Sequence, residues 1–360
     1  MLTGCTGVEM TKAAGQEAEN KTAGNSVSGN VVVSFINVGQ AESILIQSYD
    51  GKNMLIDAGE TIDNAVIDYL NGAGVKKLDV VIATHPHSDH ISDMANVIKN
   101  YEIGTFYMPD VTHTSKTFEK MVSALEDKNV NVEEAKNGID VPFSENVKCR
   151  MVAPCSKFYD DLNNYSAVLR MEYGDTSFLF TGDAEEQSER EILASGEDIS
   201  ADVLNVGHHG SSSSTSERFL EKVAPSIAVI SCGINNDYGH PHKETIQKLN
   251  ERGITTYITR DEDKAVILKS DGEKIYKENE LIVQKGNSGE ESDIESKISD
   301  KKEDRAVSAA DGEFIGNVNT KKLHSSDCTK LPNENNRVYF KTVQDGINEG
   351  YVPHSCIKNN

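Results

Sequence analysis

The sequence has little of several features that would each indicate a particular class of protein. No apolar run reaches the roughly 20 residues that a membrane-spanning helix needs, so we expect no transmembrane helix. Basic residues are scarce, and the formal net charge of −22 argues against a protein that holds nucleic acid by bulk electrostatic attraction. The cysteines are too scattered for a disulfide framework. They are Cys5, Cys149, Cys155, Cys232, Cys328 and Cys356.

What the chain does contain is a dense group of metal-binding residue types. His85, His87, Asp89 and His90 follow directly on an apolar run, residues 78–83, that is typical of a buried strand. Imidazole and carboxylate together suit a borderline divalent cation such as Zn²⁺. The alternative is a solvated histidine-rich turn. Further ligand types recur downstream in similar loops, and this favours metal binding.

A series of motifs between Val31 and Gln284 resembles the metallo-β-lactamase superfamily, and within it the ComEC-like branch that takes its name from a DNA-uptake protein. The resemblance implies an α/β (α+β) fold, a four-layer αβ/βα sandwich with metals at the edge where two sheets meet. It also implies a metal-dependent hydrolase. The motifs are a strand-turn-strand at 35–46, Asp-x-Gly at 57–59, His-x-His-x-Asp-His at 85–90, Thr-Gly-Asp at 181–183, Val-Gly-His-His-Gly-Ser at 206–211 and Tyr-Gly-His-Pro at 238–241.

Strand-like and helix-like runs alternate along this region, as a sandwich with helices on its outer faces requires. Apolar and alternating runs predict strands at 31–38, 43–48, 53–57, 80–84, 147–153, 167–173, 177–181, 203–206, 228–231, 255–258 and 265–269. Helical spacing predicts helices at 65–72, 92–101, 115–128, 185–195, 216–223 and 243–252.

The resemblance also implies a ligand set for two divalent metal ions. Asp183 would bridge the two ions with its two oxygens. The first ion would also bind His85 and His87, and the Asn163 side-chain oxygen would help where the family usually has a third histidine. The second ion would also bind Asp89, His90 and His240. Coordination this rich in oxygen would admit Mn²⁺ as well as Zn²⁺.

Asp89, His208 and His209 are the candidate catalytic residues. A histidine beside a two-metal centre can stabilise a developing oxyanion or protonate a leaving oxygen. We expect His208 to lie nearest the metals; the alternative for one of the two histidines is a structural packing role. The serine run 211–214 offers donors for a phosphate. Asp57 is expected to hydrogen-bond the metal-binding loop rather than to touch metal.

The first residues, Leu2 to Cys5, resemble a bacterial lipobox, in which the cysteine becomes lipidated. Residues 1–30 would then be a lipobox-like start and a disordered tether, because they are rich in small and polar residues. Attachment to the membrane through a lipid on Cys5 predicts an extracytoplasmic protein. The segments that should precede a lipobox are absent, so either the start lies within a longer signal peptide, which we favour, or the match is chance and the protein is cytoplasmic.

The composition changes again after the hydrolase-like region, 31–285. Residues 286–312 read as a flexible acidic linker. Residues 313–360 resemble the zinc-binding module of the DNA-repair protein Ada, although one cysteine of that module is missing. A structural Zn²⁺ would then be held by His324, Cys328, His354 and Cys356. The alternatives are a metal-free module or, in an oxidising location, a Cys328–Cys356 disulfide.

These features lead to three hypotheses about function. The first is a binuclear metal-dependent phosphodiesterase or nuclease that acts on DNA. The second keeps the metal centre but assigns it a small ester, thioester, lactone or phosphoester. The third is a non-catalytic surface binding protein, which the intact ligand set argues against.

Overall fold

The computed structural model describes residues 29–277, 280–284, 314–317, 321–326, 328, 331, 337–343 and 351–353. The chain divides into two compact units, Met1–Lys285 and Gly286–Asn360. The expected lipobox and nearly all of the tether lie outside the described residues. The expected acidic linker also lies outside them. In the part of the chain that the structure describes, no helix has the length and apolar character to cross a membrane.

The first unit contains fifteen strands and seven α-helices among its described residues. The strands are β1 Val31–Ile36, β2 Ile44–Gln47, β3 Asn53–Ile56, β4 Lys77–Ile82, β5 Glu102–Met108, β6 Asn131–Glu134, β7 Val147–Ala153, β8 Val168–Tyr173, β9 Thr176–Phe180, β10 Val203–Asn205, β11 Ile227–Ile230, β12 Thr255–Ile258, β13 Ala265–Ser270, β14 Lys274–Lys277 and β15 Glu280–Gln284. The helices are α1 Ala65–Gly72, α2 Ser88–Ile91, α3 Met94–Asn100, α4 Lys116–Lys128, α5 Glu186–Ser195, α6 Glu217–Val223 and α7 Lys243–Glu251.

These strands form two sheets. The larger sheet has the order β15-β14-β13-β1-β2-β3-β4-β5-β6 and the smaller has the order β12-β11-β10-β9-β8-β7. In each sheet the strands that lead towards histidine or aspartate loops are parallel: β3, β4 and β5 in the larger, and β9, β10 and β11 in the smaller. Parallel strands end at a common edge, so the loops that follow them meet there.

The hydrophobic residues are divided among three layers of core. Phe35, Ile44 and Phe178 belong to a cluster that fills the space between the two sheets. A second cluster joins the larger sheet to α1, α3 and α4, and a third joins the smaller sheet to α5, α6 and α7. The four-layer αβ/βα sandwich is therefore confirmed.

The sequence analysis missed four strands and one helix break. β6 is exposed at all four positions and lies at the edge of the larger sheet, so it has no apolar pattern to detect. The strands β5, β14 and β15 also escaped prediction. The predicted helix 92–101 begins later, at Met94, because a separate short turn of helix, α2, carries part of the histidine motif.

The second unit contains a small four-stranded sheet. Its strands are β16 Phe314–Asn317, β17 Lys322–Ser325, β18 Arg337–Phe340 and β19 Val352–Pro353, in the order β18-β16-β17-β19. Leu323, Phe340 and Tyr351 form its apolar core. His324 is buried, and its Nδ1 lies 3.4 Å from Cys328 Sγ. The other two expected zinc ligands, His354 and Cys356, lie outside the described residues.

Candidate metal centre

The candidate ligands come from loops at the shared edge of the two sheets. His85 and His87 follow β4, and Asp89 and His90 lie in α2. Asp183 follows β9 at a glycine turn. The histidine pair 208–209 follows β10 in a 3₁₀ turn, His208–Gly210. The fold therefore brings together candidate ligands that lie more than 120 positions apart in the sequence, such as His85 and His209.

One group of side chains brings together His85, His87 and Asp183, whose ligand atoms lie within 4.8 Å of one another. His85 Nε2 lies 3.0 Å from His87 Nδ1 and 3.7 Å from Asp183 Oδ2. These separations are close to those of donor atoms that share one divalent ion, since Zn–N bonds measure about 2.0–2.1 Å.

A second group brings together Asp89, His90, Asp183 and His209, again within 4.8 Å. His90 Nε2 lies 3.1 Å from Asp183 Oδ1, and His209 Nε2 lies 3.3 Å from Asp89 Oδ2. The two oxygens of Asp183 thus face different groups, Oδ2 the first and Oδ1 the second.

Hydrogen bonds behind the rings set which nitrogen of each imidazole faces the cluster. Asp57 Oδ2 lies 2.6 Å from His90 Nδ1, and the Ser231 carbonyl oxygen lies 2.9 Å from His209 Nδ1. These oxygens accept, so each Nδ1 carries a proton. Each Nε2 faces the carboxylates of the cluster and is the nitrogen that a metal ion would bind after displacing its proton. Carboxylates and carbonyls behind metal-binding histidines act in this way.

The same reasoning applies to His85. Its Nδ1 lies 3.2 Å from Thr84 Oγ1, which donates its own proton to Asp57. Thr84 Oγ1 can therefore accept a hydrogen bond from His85 Nδ1, which leaves His85 Nε2 without a proton and with its lone pair available to a metal ion. The backbone N–H of Thr84 also donates to Asp57, at 2.7 Å. Asp57 is completely buried and organises two of the rings.

The buried histidines and carboxylates of the cluster shift one another's pKa values. Burial and the neighbouring His90 hold the pKa of His85 well below its usual value. Burial works to lower the pKa of His90 and His209, but nearby carboxylates, Asp183 above all, outweigh it. The pKa of His90 therefore lies well above the usual value, and that of His209 is raised to about 8. The histidines in turn outweigh burial at Asp183 and hold its pKa well below the usual range.

Two buried polar atoms support the fit of a metal ion. Asn163 Oδ1 is buried without a hydrogen-bond partner, and His90 Nε2 is buried with only the Asp183 carboxylate beside it, at 3.1 Å in ion-pair geometry. Unpaired buried polar atoms are costly, and metal coordination is one way of satisfying them. Nitrogen and carboxylate donors in this number fit Zn²⁺, and the additional amide oxygen fits Mn²⁺.

Backbone strain is concentrated in the same place. Asp57, His208 and His209 have φ values of 57°, 51° and 54°, a left-handed conformation that costs non-glycine residues energy. Gly59 allows the closest approach, because a Cβ there would lie 1.5 Å from the Asp89 carbonyl oxygen. The 57–59 turn thus packs directly against the ligand loop.

The two histidines after β10 occupy different positions in the site. His209 is buried in the second group, whereas His240, the expected ligand, belongs to neither group. The consecutive left-handed residues turn the His209 ring inwards and leave His208 at the cavity. His208 Nε2 lies 3.7 Å from Asp183 Oδ2, and its Nδ1 lies 3.1 Å from Ser213 Oγ. His240 forms part of the cavity wall instead, 3.5 Å from Gln40 Nε2.

The cluster opens into a cavity of about 350 Å³, here called the central cavity. His113, Gln40, Ser115 and Tyr238 line this cavity, and the sequence analysis did not identify them as functional residues. Gln40 and Tyr238 stand inside two of the family-like motifs, which was the available signal. The lining residues are Gln40, His87, Ser88, Asp89, His113, Ser115, Asn163, Asp183, His208, His209, Tyr238 and His240.

Comparison with known proteins assigns the chain to a family. Residues 36–234 match the family profile of the metallo-beta-lactamase superfamily, and the chain belongs to that superfamily. It is a metal-dependent hydrolase by class, with a candidate His/Asp metal site.

Among curated proteins, ComE operon protein 3 of Bacillus subtilis (strain 168) is 33% identical over 245 residues, which cover 63% of this chain and 31% of that protein. Recombination protein 2 of Haemophilus influenzae is 28% identical over 224 residues, 61% of this chain and 26% of that protein. The chain therefore spans about a third or less of these relatives. The solved metallo-beta-lactamase fold protein YhfI from Bacillus subtilis is 14% identical with a TM-score of 0.45, and the match covers 67% of this chain and 99% of YhfI.

Metal affinity is expected to rise with pH. The pKa of His209 is raised to about 8 in the metal-free cluster, so at lower pH its ring is protonated, and a metal ion must displace that proton. Affinity should fall as the pH drops below 8, with protons released on binding. Titration calorimetry of Mn²⁺ or Zn²⁺ in buffers of different ionisation enthalpy would count these protons. Equal affinity at about pH 6 and pH 8 would contradict the assignment.

Proposed function

We propose that the hydrolase unit is a binuclear phosphodiesterase that acts on DNA. The observation that carries this proposal is the orientation of Asp183, whose two oxygens face two separate groups of ligands. Two bound divalent cations would activate a water near neutral pH and neutralise charge on the attacked phosphate.

The chain's own residues have distinct tasks in this proposal. The first ion would be held by His85, His87 and Asp183, with the unpartnered Asn163 Oδ1 beside them. Asp89 and His90 would hold the second ion together with Asp183 and the fourth member of its group, His209. Asp57 and the Ser231 carbonyl would keep the His90 and His209 rings in the binding tautomer.

His208 is placed to handle a proton on the leaving oxygen. Its ring lies at the central cavity, and its Nδ1 is within 3.3 Å of Glu185 Oε1 and 3.1 Å of Ser213 Oγ. Its Nε2 lies 3.7 Å from Asp183 Oδ2, beside the position where a leaving oxygen would depart. The hydroxyl of Ser213 also contacts Ser211 Oγ at 3.0 Å, so the serine run is ordered behind this histidine.

DNA as the substrate is supported by the names of the relatives, one a ComE operon protein and another a recombination protein. A second candidate substrate class is a small ester, thioester, lactone or phosphoester. It is favoured by the lining of the central cavity, which includes no Lys or Arg among its described residues.

The decisive experiment combines metal analysis with a substrate panel. The purified chain should bind two ions of Zn²⁺ or Mn²⁺ and cleave DNA and bis-p-nitrophenyl phosphate. Asp89→Ala should abolish cleavage while the thermal unfolding temperature in chelator changes little, because the Asp89 side chain is 31% exposed. Cleavage of lactones or thioesters, but of no phosphodiester, would favour the second class. Undiminished cleavage by Asp89→Ala would exclude the two-metal proposal.

We also propose that the terminal segments anchor the protein and add a zinc module. Lipid attachment at Cys5 rests on the lipobox-like residues alone. Mass spectrometry of Cys5 in the native protein, with Cys5→Ser as the control, would show or exclude the lipid and, with it, the extracytoplasmic location.

Chelation is expected to unfold the C-terminal unit but not the hydrolase unit. The described residues of this unit include four buried apolar side chains, Ile315, Leu323, Phe340 and Tyr351, and we expect so small a core to need a bound metal to outweigh chain entropy. Limited proteolysis should yield two resistant fragments, and a chelator with reductant should expose the small one. Cys328→Ser should reproduce the effect without chelator. A small fragment that stays resistant in both tests would show that no zinc supports it.

A further inference from the structure

We propose that a second cavity beside the metal cluster is a nucleobase subsite, in which Tyr238 stacks on one base of a single-stranded nucleic acid. This inference rests on the proposed function and names the form of its substrate. The second cavity, here called the flanking cavity, measures about 360 Å³. It shares Gln40, Ser88, Asp89 and Tyr238 with the central cavity, so a bound strand can reach both.

Tyr238 has the geometry of a stacking platform. Its ring lies 5.6 Å from that of His240, with 22° between the two planes, and it is nevertheless 68% exposed. A single exposed aromatic residue needs no explanation by itself. Here, however, the ring lies at the boundary of the two cavities, one of which contains the candidate ligands. His240 covers one face of the Tyr238 ring, so a base would stack on the opposite face, beside the cavity that contains the candidate ligands.

The loop that carries Tyr238 is held in place before any substrate binds. Asn236 Nδ2 donates to the carbonyl oxygens of Gly233 and His240, and Arg260 Nη1 donates to the same two oxygens. Gln40 Oε1 accepts from Gly233 N at 3.1 Å. These bonds close the 233–240 turn and join it to the wall of the central cavity. A preorganised ring loses little entropy when a base stacks on it.

The charges of the flanking cavity select a base over a phosphate. No Lys or Arg is among the described residues that line it, whereas two carboxylates outside the metal cluster, Glu60 and Asp237, are. These carboxylates would repel a phosphodiester backbone but can accept hydrogen bonds from the amino groups of a base. Asn235 and Asn236 add amide groups. Recognition would thus come from stacking and base edges, while the metal cluster takes one phosphate.

A single strand follows from the same observations. Bases in a duplex are stacked on each other and expose only their edges, so a ring such as Tyr238 can stack on a base only when that base is unpaired. Duplex binding proteins also track many phosphates with basic side chains. The described lining of both cavities offers none, and the chain carries a net charge of −22.

The subsite can be tested by a double-mutant cycle in which the Tyr238 ring and one substrate base are removed singly and together. KM is measured for wild type and for Tyr238→Ala on short single-stranded DNA with and without one abasic position. The abasic position is placed at successive sites relative to the mapped cleavage site. In wild type, one abasic position should raise KM about tenfold, the loss expected from one base stack. In Tyr238→Ala, KM for the intact strand should already be raised, and the abasic position should add nothing. Tyr238→Phe should behave like wild type.

Phe158→Ala is the matched control, since Phe158 is 85% exposed and lines neither cavity. The subsite would be refuted if the effects of Tyr238→Ala and of the abasic position on KM were additive. It would also be refuted if no abasic position raised the KM of wild type. The same cycle measured as equilibrium binding by fluorescence anisotropy requires no turnover. Intact coupling in binding without cleavage of any phosphodiester would therefore overturn the hydrolytic proposal alone.

The salt dependence of binding provides an independent check. If one phosphate is held, the logarithm of the binding constant should fall against the logarithm of salt concentration with a slope of about −0.7. A slope several times steeper, or equal affinity for duplex and single strand, would show that backbone tracking dominates and would refute the proposal.

Discussion

Asp183→Asn is expected to remove bound metal and nearly all hydrolysis. The side chain is 2% exposed, and its two oxygens lie between His85 on one side and His90 on the other. Asn keeps the shape but has one acceptor oxygen and no charge, so it cannot bridge two cations. The loss in turnover should exceed the roughly 10–100-fold that the removal of a hydrogen-bond partner behind a ligand costs. Metal content should fall from two ions to at most one.

Asp202→Asn is the matched control for this substitution. Asp202 is also a hydrogen-bonded carboxylate of the smaller sheet, and it accepts from Ser177 N and Ser177 Oγ. It lies before β10, at the opposite end of the strands from Asp183. This variant should keep both ions and full turnover. An Asp183→Asn protein with two ions and undiminished activity would refute a bridging role.

Much of the fold could be predicted because its signals are local. The strands β7 and β12 and the helix α1 begin and end at the predicted residues. β7 and α1 have periodic apolar patterns, and β12 consists of β-branched and aromatic residues that favour strands. β6 could not be found in this way. It is a fully exposed edge strand with the sequence NVEE, and only its pairing with β5 defines it.

In the candidate metal site, too, only the features with a local sequence signal could be predicted. The types of ligand were predictable from the spacing of His85, His87 and Asp89. The choice between two adjacent histidines was not, because it depends on Ser231, which lies 22 positions away and fixes the His209 ring. The left-handed backbone at both histidines likewise has no signal in the residue type. Long-range contacts therefore decide which ring faces the cluster.

Single substitutions of His208, His209 and His240 are expected to distinguish a metal ligand from a proton donor. His209→Ala should lose one of two ions, because His209 Nε2 lies 3.3 Å from Asp89 Oδ2 within the second group. His208→Ala should keep both ions and lower turnover by about 10²–10³. His240→Ala should also keep both ions, since His240 belongs to neither group. Metal analysis by mass spectrometry, with kcat measured in excess metal, distinguishes the three.

The leaving group of the substrate sharpens this test for His208. Its Nδ1 is held by Ser213 and Glu185, and its Nε2 is directed towards the cluster, 3.7 Å from Asp183 Oδ2. A proton donor matters most when the departing oxygen is a poor leaving group, as the sugar alcohol of DNA is, and matters least for p-nitrophenolate. His208→Ala should therefore lose more activity on DNA than on bis-p-nitrophenyl phosphate. Equal losses would show that His208 positions the phosphate instead. Loss of an ion in His240→Ala, with both retained in His209→Ala, would restore the ligand set expected from the sequence and would reject the second group as the structure defines it.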